Sequence, residues 1–219
     1  MRFEGVLLLA VAVAACGGDD GAAREQLAGA AVGIVAGGCS LVDTVGSGVV
    51  VEREGQIATV AHTIRGADEI AVVDADGRNH AATVVAFDAD SDLAVLDAPT
   101  LRVAPLPIGD VELGEGSVLV WDRDAGTSAK QVDVVKRLRI SIEDIYVENT
   151  VERTGLEVEG SIEIGDSGAA VVSEAGEVIG IVYANSRERD GVGFATDSAE
   201  LRDVLSRRSL TEVPNGRCR

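Results

Sequence analysis

Aromatic residues are scarce in this 219-residue chain, which holds one Trp, two Tyr and three Phe. A core with so few rings must be filled by β-branched and small aliphatic side chains. Val, Ile and Leu recur in short runs, a composition that suits strands better than long helices. Only two lysines occur, Lys130 and Lys136, and no block of basic residues offsets a formal charge of −18. Such a surface repels phosphate backbones and anionic headgroups, so no nucleic-acid partner is expected and the acidity is read as a solubilising surface. Histidine is limited to His62 and His80, and cysteine to Cys16, Cys39 and Cys218. That scatter does not make ligand spacing, so neither a metal nor another cofactor is expected. Long apolar runs are missing too. The N-terminal run of residues 5–15 is only 11 residues long, where a helix crossing a bilayer needs about 20. Internal repeats and low-complexity blocks are absent.

That run, with Arg2 before it, matches the hydrophobic region of a signal peptide, although Glu4 is an unusual acidic intruder. It ends Val13, Ala14, Ala15, Cys16 and passes into Gly17, Gly18, Asp19 and Asp20. Small residues before a cysteine, then a polar glycine-rich tether, resemble a bacterial lipoprotein signal. The resemblance implies a lipid on Cys16, an attachment to the membrane through it, and an extracytoplasmic location in the cell envelope. The alternative is an ordinary secretory signal. On either reading residues 1–16 are a leader and residues 17–29 a tether. With Cys16 assigned to lipid, Cys39 and Cys218 remain, and an exported compartment permits a disulfide between them. The alternative is two free thiols.

Residues 31–35 read as a strand. Gly46, Ser47 and Gly48 open an apolar strand that turns at Glu54 and Gly55 into residues 56–60, a hairpin. Residues 70–73 and 80–87 form a second hairpin around Asp76 and Gly77. An acidic loop of residues 88–92 precedes an apolar strand at 93–96. Pro99, Pro105 and Pro107 mark an extended linker over residues 99–107. Beyond it come a strand at 117–121, long half-exposed strands within 131–145, an alternating stretch at 156–164, a hairpin of 169–172 and 178–183, and a last strand at 191–195. Asp197 stands three residues before Glu200, a capping-box variant that opens a helix over residues 197–208. This pattern predicts an all-β fold of two antiparallel barrels with a short C-terminal helix.

The stretch with most chemical content is Gly165, Asp166, Ser167 and Gly168. Alone, it is equally a glycine-rich turn. As a nucleophile loop it offers Ser167, with the N–H groups of Gly165 and Ser167 aimed at a developing oxyanion. A serine nucleophile needs a base and an orienting acid. His62 ends the strand that carries Thr59, Val60 and Ala61, and histidine is the side chain whose ordinary ionisation lies near neutrality. His80 sits in an alternating strand beside Asn79 and reads as a surface residue. The acid comes from the acidic loop, where Asp88, Asp90 and Asp92 compete. Asp92 directly precedes the apolar strand, which favours it.

Together the Thr-Val-Ala-His segment ending at His62, residues 90–96 and residues 165–168 resemble the three signature segments of trypsin-like serine proteases, in the chymotrypsin-type order His, Asp, Ser. The Asp-Leu-Ala-Val-Leu form at residues 92–96 is similar to exported bacterial members of the HtrA group. Cys39, Asp144 with Ile145 and Tyr146, Gly193 with Phe194, and Cys218 extend the resemblance to the MarP-type periplasmic proteases of actinobacteria. In that family two cysteines so placed form a disulfide. The resemblance implies a domain over residues 30–219. Two six-stranded antiparallel β-barrels (30–98 and 108–196) would precede the helix. It further implies a monomeric serine endopeptidase acting on protein or peptide substrates. Ser161 would stand near the base of the primary specificity pocket, with Tyr183, Ala184 and Asn185 along its wall. No carboxylate is evident there, so a small or apolar substrate side chain is expected. Two features depart from the family pattern. Ala169 and Ala170 replace the usual Gly-Pro, and a methyl at Ala169 would press on the oxyanion loop. This leaves an alternative: a catalytically inactive pseudoprotease that binds peptides or envelope proteins. Residues 31–35 are only a loose echo of an activation terminus, so activation by a freed amine is not expected.

Overall fold

The computed structural model describes residues 26–218; the expected leader, Cys16 and the start of the tether lie outside the described residues. Among the described residues, helical residues 26–28 lead into β1 (Ala31–Gly37), β2 (Thr44–Val50), β3 (Gln56–Thr59), α1 (Ala61–Ile64), β4 (Glu69–Val73), β5 (Asn79–Ala81), β6 (Thr83–Asp88), β7 (Leu93–Asp97), β8 (Gly114–Asp122), β9 (Gly126–Glu143), β10 (Thr150–Gly160), β11 (Ala170–Ser173), β12 (Val178–Asn185), β13 (Val192–Asp197) and α2 (Ser198–Ser206).

Successive side chains of a strand face opposite ways, and here both faces are often buried. In β7, Ala94 and Leu96 point into a cluster with Val32, Ile34, Val50 and Ile57, the core of the first sheet. Leu93 and Val95 point the other way, into a cluster with Leu119, Ala170, Val172 and Ile181. That second cluster joins the two halves. A third cluster, with Val118, Val171, Ile179 and Leu156, fills the second barrel. Strands buried on both faces read as continuous apolar runs rather than alternating ones, which is why residues 93–96 are uniformly apolar.

The second half closes into a six-stranded barrel in the order β10-β13-β12-β11-β8-β9, and the first is a seven-stranded sheet in the order β5-β4-β1-β2-β3-β7-β6. All strand pairs are antiparallel, as in Ile34↔Gly46 and Ile57↔Leu96. The expected single strand at 80–87 is broken at Ala82, whose N–H donates to Ile70 O. Its first piece pairs with β4 and its second with β7. The two edges of the sheet are thus one residue apart in the chain, so the sheet must curl round into a barrel. The long polar stretch is one strand, β9, of 18 residues, and it serves both β8 and β10. The stretch expected to alternate as far as residue 164 stops at Gly160, leaving residues 161–169 free to form the loop that carries Ser167.

The helix α2 seats Leu201, Val204 and Leu205 on the inter-barrel cluster. Asp197 caps it by accepting from the N–H groups of Ala199 and Glu200. The reciprocal half of the expected capping box is not made: the Glu200 carboxylate accepts from Thr154 N–H of β10 at 2.9 Å instead. The C-terminal tail then crosses the first barrel, pairing Ser209 and Val213 N–H with Val85 O and Val84 O, and a Cys39–Cys218 disulfide fastens its end.

Candidate active site

The site residues lie on elements that meet where the two barrels pack. Val60, extended, follows β3 and caps the single turn α1, which places His62 at the barrel's rim. Asp92 precedes β7, the neighbour of β3 in the same sheet, so the pairing Thr59↔Ala94 brings the two side chains together. The His62 Nδ1 lies 2.7 Å from Asp92 Oδ2, and the His62 backbone N–H donates to Asp92 Oδ1 at 2.9 Å. Both carboxylate oxygens are therefore committed to one residue. Asp92 is buried while the imidazole keeps 28% of its side chain exposed, leaving an edge for a reacting group. Asp92 takes a left-handed φ of 56°, a conformation that Asp tolerates better than most residues.

The acidic loop distributes its three aspartates by geometry. Asp88 Oδ1 accepts from the N–H groups of Asp90 and Ser91, and its other oxygen pairs with Arg207 at 2.7 Å. Burial alone would raise the Asp88 carboxyl; the Ser91 N–H, Arg207 and the Asp90 N–H outweigh it and hold it below its ordinary value. Asp90 is exposed. Only Asp92 reaches His62. His80, expected at the surface, is held between Thr100 Oγ1 at 2.9 Å and Asp74 Oδ2 at 3.1 Å, with 13% of its side chain exposed.

Ser167 comes from the second barrel. Its carbonyl accepts from Ser47 N–H of β2 at 2.8 Å, a direct tie between the barrels. Ser47 Oγ in turn accepts from Trp121 N–H and donates to Trp121 O, while Thr59 Oγ1 donates to Ser47 O at 2.7 Å. Gly46 permits this approach, because a Cβ there would lie 2.8 Å from Ser167 O. Sequence reasoning missed Ser47 and Thr59 as supports. The signal was present: glycines on both sides of a serine inside a strand mark a close backbone approach.

Within the loop, the N–H groups of Asp166, Gly168 and Ala169 donate to Glu163 O, Val182 O and Asp166 O. Among the described residues no hydrogen bond uses the N–H of Gly165 or Ser167, nor the Ser167 hydroxyl. Gly165 has a φ of 109° and open space where a Cβ would stand. The Asp166 side chain turns inward, where it accepts from Lys130 Nζ at 3.0 and 3.2 Å and from Glu163 N–H at 2.8 Å. Ala169 and Ala170 are fully buried, the first in the second barrel's core and the second in the inter-barrel cluster. The Ala169 methyl thus points into the core cluster.

The expected pocket residues separate. Ser161 and Asn185 are exposed and Ala184 is half-buried. Tyr183, expected along the same wall, instead packs its ring against the inter-barrel cluster, with the Arg153 guanidinium 4.1 Å above it. Burial pushes the Tyr183 phenol up; Arg153 pulls the other way and the nearby Asp92 charge adds to the rise. Beside Ser161, the buried Ile162 occupies the space over Gly193 so fully that a Cβ on Gly193 would meet Ile162 Cγ2 at 2.6 Å. An oriented imidazole, a serine on a tight glycine-flanked loop and two unused amides beside it are the parts of a nucleophilic acyl-transfer site.

The family model for a trypsin-like peptidase domain matches residues 46–181. The chain belongs to the trypsin-like peptidase family. The chain is 34% identical over 169 residues to the serine endoprotease DegS of Escherichia coli, covering 70% of the chain and 45% of the relative. It is 32% identical over 158 residues to protease Do-like 1 of Arabidopsis thaliana chloroplasts, covering 68% and 36%. With serine protease Rv3671c of Mycobacterium tuberculosis it shares 28% over 178 residues, covering 79% and 44%. The chain thus spans less than half the length of these curated relatives. The crystal structure of the Rv3671c protease in its active form superposes with a TM-score of 0.81 at 26% identity, covering 90% of this chain and 87% of that chain. The inactive form superposes with a TM-score of 0.70 at 27% identity, covering 84% and 90%. Two-barrel architecture and membership of the serine protease family therefore agree with what the strand pattern and the three segments imply.

Proposed function

We propose that this chain is an extracytoplasmic serine endopeptidase that hydrolyses peptide bonds through Ser167, His62 and Asp92. Ser167 Oγ attacks the scissile carbonyl while His62 Nε2 takes its proton. The carbonyl oxygen, now negative, accepts from the N–H groups of Gly165 and Ser167. The tetrahedral centre collapses, the leaving amine takes the proton from His62, and an acyl-enzyme remains. Water then repeats the sequence with the same base and frees the acid. Asp92 holds the imidazole with Nδ1–H toward itself, so that Nε2 is the free basic nitrogen, and it offsets the imidazolium charge. The observation that carries this reading is the pair of hydrogen bonds from His62 to Asp92, together with a serine loop that has two unused amides. The higher TM-score to the active form of Rv3671c supports it.

The pocket preference follows from Ile162. With its side chain packed over Gly193, and no carboxylate at Ser161, Ala184 or Asn185, small apolar substrate side chains fit and Arg or Lys do not. Export and a lipid on Cys16 would hold the enzyme at the membrane surface of the cell envelope as a monomer. The pseudoprotease alternative rested on Ala169 and Ala170, and both are core residues of the second barrel and its interface. The test is a fluorophosphonate probe. It labels Ser167 in the wild type and fails to label Ser167→Ala. Folded protein that neither takes the probe nor cleaves a peptide library refutes the reading. Detergent partitioning of Cys16→Ala tests the anchor, which is refuted if the variant partitions like the wild type.

A further inference from the structure

Asp166 is a buried carboxylate inside the very loop whose amides face the reacting carbonyl, and it is paired. Its exposure is 6%. Both oxygens accept from Lys130 Nζ, at 3.0 and 3.2 Å, and one also accepts from Glu163 N–H at 2.8 Å. Lys130 is one of only two lysines in the chain. It stands on β9, in register with Val118 of β8, on a different part of the barrel from the loop it reaches.

The backbone of the loop is built around that carboxylate. Asp166 N–H closes a turn onto Glu163 O, Ala169 N–H returns to Asp166 O, and Gly168 N–H goes to Val182 O. The unused amides, Gly165 and Ser167, are the residues on either side of Asp166. Their outward direction is thus tied to the inward direction of the Asp166 side chain. A carboxylate left buried without a cation is strongly unfavourable, and the loop would swing Asp166 toward water and carry both amides with it. The segment that loosely echoes an activation terminus, residues 31–35, lies in β1 between β2 and β4, with Ile34 paired to Gly46 and Val72. Its amides are sheet-bound and none of them neutralises Asp166.

We infer that Lys130 is a positioning residue: its ammonium anchors Asp166 inward and so holds the Gly165 and Ser167 amides in the oxyanion-binding arrangement without any proteolytically freed terminus. This rests on the endopeptidase reading of the same site. The groups facing Lys130 are the carboxylates of Asp166 and Glu163, with Asp122 at longer range. Burial by itself would lower the Lys130 ammonium, but Asp166 and Glu163 overcome it and hold it above its ordinary value, so the cation persists across the neutral range.

The experiment compares wild type, Lys130→Met and Lys130→Arg as purified full chains. Lys130→Met keeps the apolar stem and removes the charge; Lys130→Arg restores the charge. Turnover of a peptide ester and hydrogen exchange of the peptide spanning residues 161–169 are measured in parallel. In Lys130→Met, kcat falls on the order of 10²-fold or more, the size of effect seen when oxyanion donors are lost. KM stays within about twofold, because the carbonyl is bound but its transition state is not. Exchange of the Asp166 and Ala169 amides accelerates about tenfold or more as the loop opens locally. Lys130→Arg recovers most of both. Folded Lys130→Met with wild-type kcat and wild-type exchange overturns the inference, as does a loss that Lys130→Arg fails to recover. If Lys130→Met does not fold, the double variant Lys130→Met with Asp166→Asn removes the buried charge that drives the loop outward; recovery of folding supports the anchor, and a double variant that still fails to fold refutes it. A wild type without turnover sinks the endopeptidase reading instead, and the exchange measurement still decides whether Lys130 orders the loop.

Discussion

Gly168→Ala is a severe test of how the serine loop is seated. Gly168 has a left-handed φ of 87°. An alanine forced into that region costs roughly 1–2 kcal/mol. The new methyl would also overlap Ser47 O and come within 2.6 Å of Thr59 Oγ1. Relief of that overlap pulls β2 from the loop. It breaks the bond from Ser47 N–H to Ser167 O at 2.8 Å and the bond from Thr59 Oγ1 to Ser47 O at 2.7 Å. Each buried hydrogen bond contributes about 1 kcal/mol net, and more where a partner is left unsatisfied. Alanine recovers somewhat under 1 kcal/mol through the lower entropy of its unfolded chain. The balance is a destabilisation of about 2–3 kcal/mol, a large part of the roughly 5–15 kcal/mol available to a typical domain. Urea unfolding reads it directly. The chain's one Trp, Trp121, is buried and bonds Ser47 through its own N–H and C=O, so its fluorescence reports the perturbed contact. The midpoint should fall with the slope unchanged, with the disulfide kept oxidised in both proteins. A midpoint equivalent to less than about 0.5 kcal/mol of change, the usual size for an unremarkable surface site, would show that the loop is not seated against Ser47 as described.

Three further outcomes are expected. In Asp92→Asn, Oδ1 must still accept from His62 N–H, so the amide nitrogen faces Nδ1 and donates to it, forcing the proton onto Nε2; kcat should drop about 10⁴-fold with the melting temperature little changed, as measured by single-turnover hydrolysis and calorimetry. An Asn that retains more than about a tenth of the activity would break that tautomer reasoning. Reduction of Cys39–Cys218, which closes a separation of 179 residues, should cost on the order of 5 kcal/mol at most by the chain-entropy model, read as a lower urea midpoint under reductant; no shift would mean the tail holds without it. Asp74 is buried, which alone would raise its carboxyl, but the N–H groups of Arg78 and Asp76, His80 and the Arg78 charge bring it below its ordinary value. A depressed carboxylate adds stability that is complete above its unfolded value near 4 and is lost as pH falls through the folded one. Asp74→Asn should therefore flatten the acid limb of the stability profile below about pH 4 and lower stability at pH 7. An unchanged acid limb would count against Asp74 as a contributor.

The candidate site residues were legible in the chain because their signals are local. A strand that ends in Ala61 and His62, an aspartate at the head of residues 93–96, and a serine between glycines are each defined within a few positions of sequence. Alternation and length of the apolar runs likewise yield the strands, since a period of two needs no knowledge of the partner strand. Even so, residues 80–87 read as one strand because nothing local marks Ala82 as the point where pairing passes from β4 to β7. His80 read as a surface residue for the same reason: its partners Asp74 and Thr100 come from other segments.

By itself, then, the sequence determined the class of fold, the two halves, and the identity of His62, Asp92 and Ser167 as candidates in a workable order. Tertiary structure alone decided which aspartate meets the imidazole, that Tyr183 packs on the inter-barrel cluster beneath Arg153, that Ala169 belongs to the core, and that Lys130 reaches Asp166. The physical reason is separation. Lys130 and Asp166 are 36 residues apart and Ser47 and Trp121 are 74 apart, so their contacts depend on strand register and barrel closure, which set distances that no local pattern records.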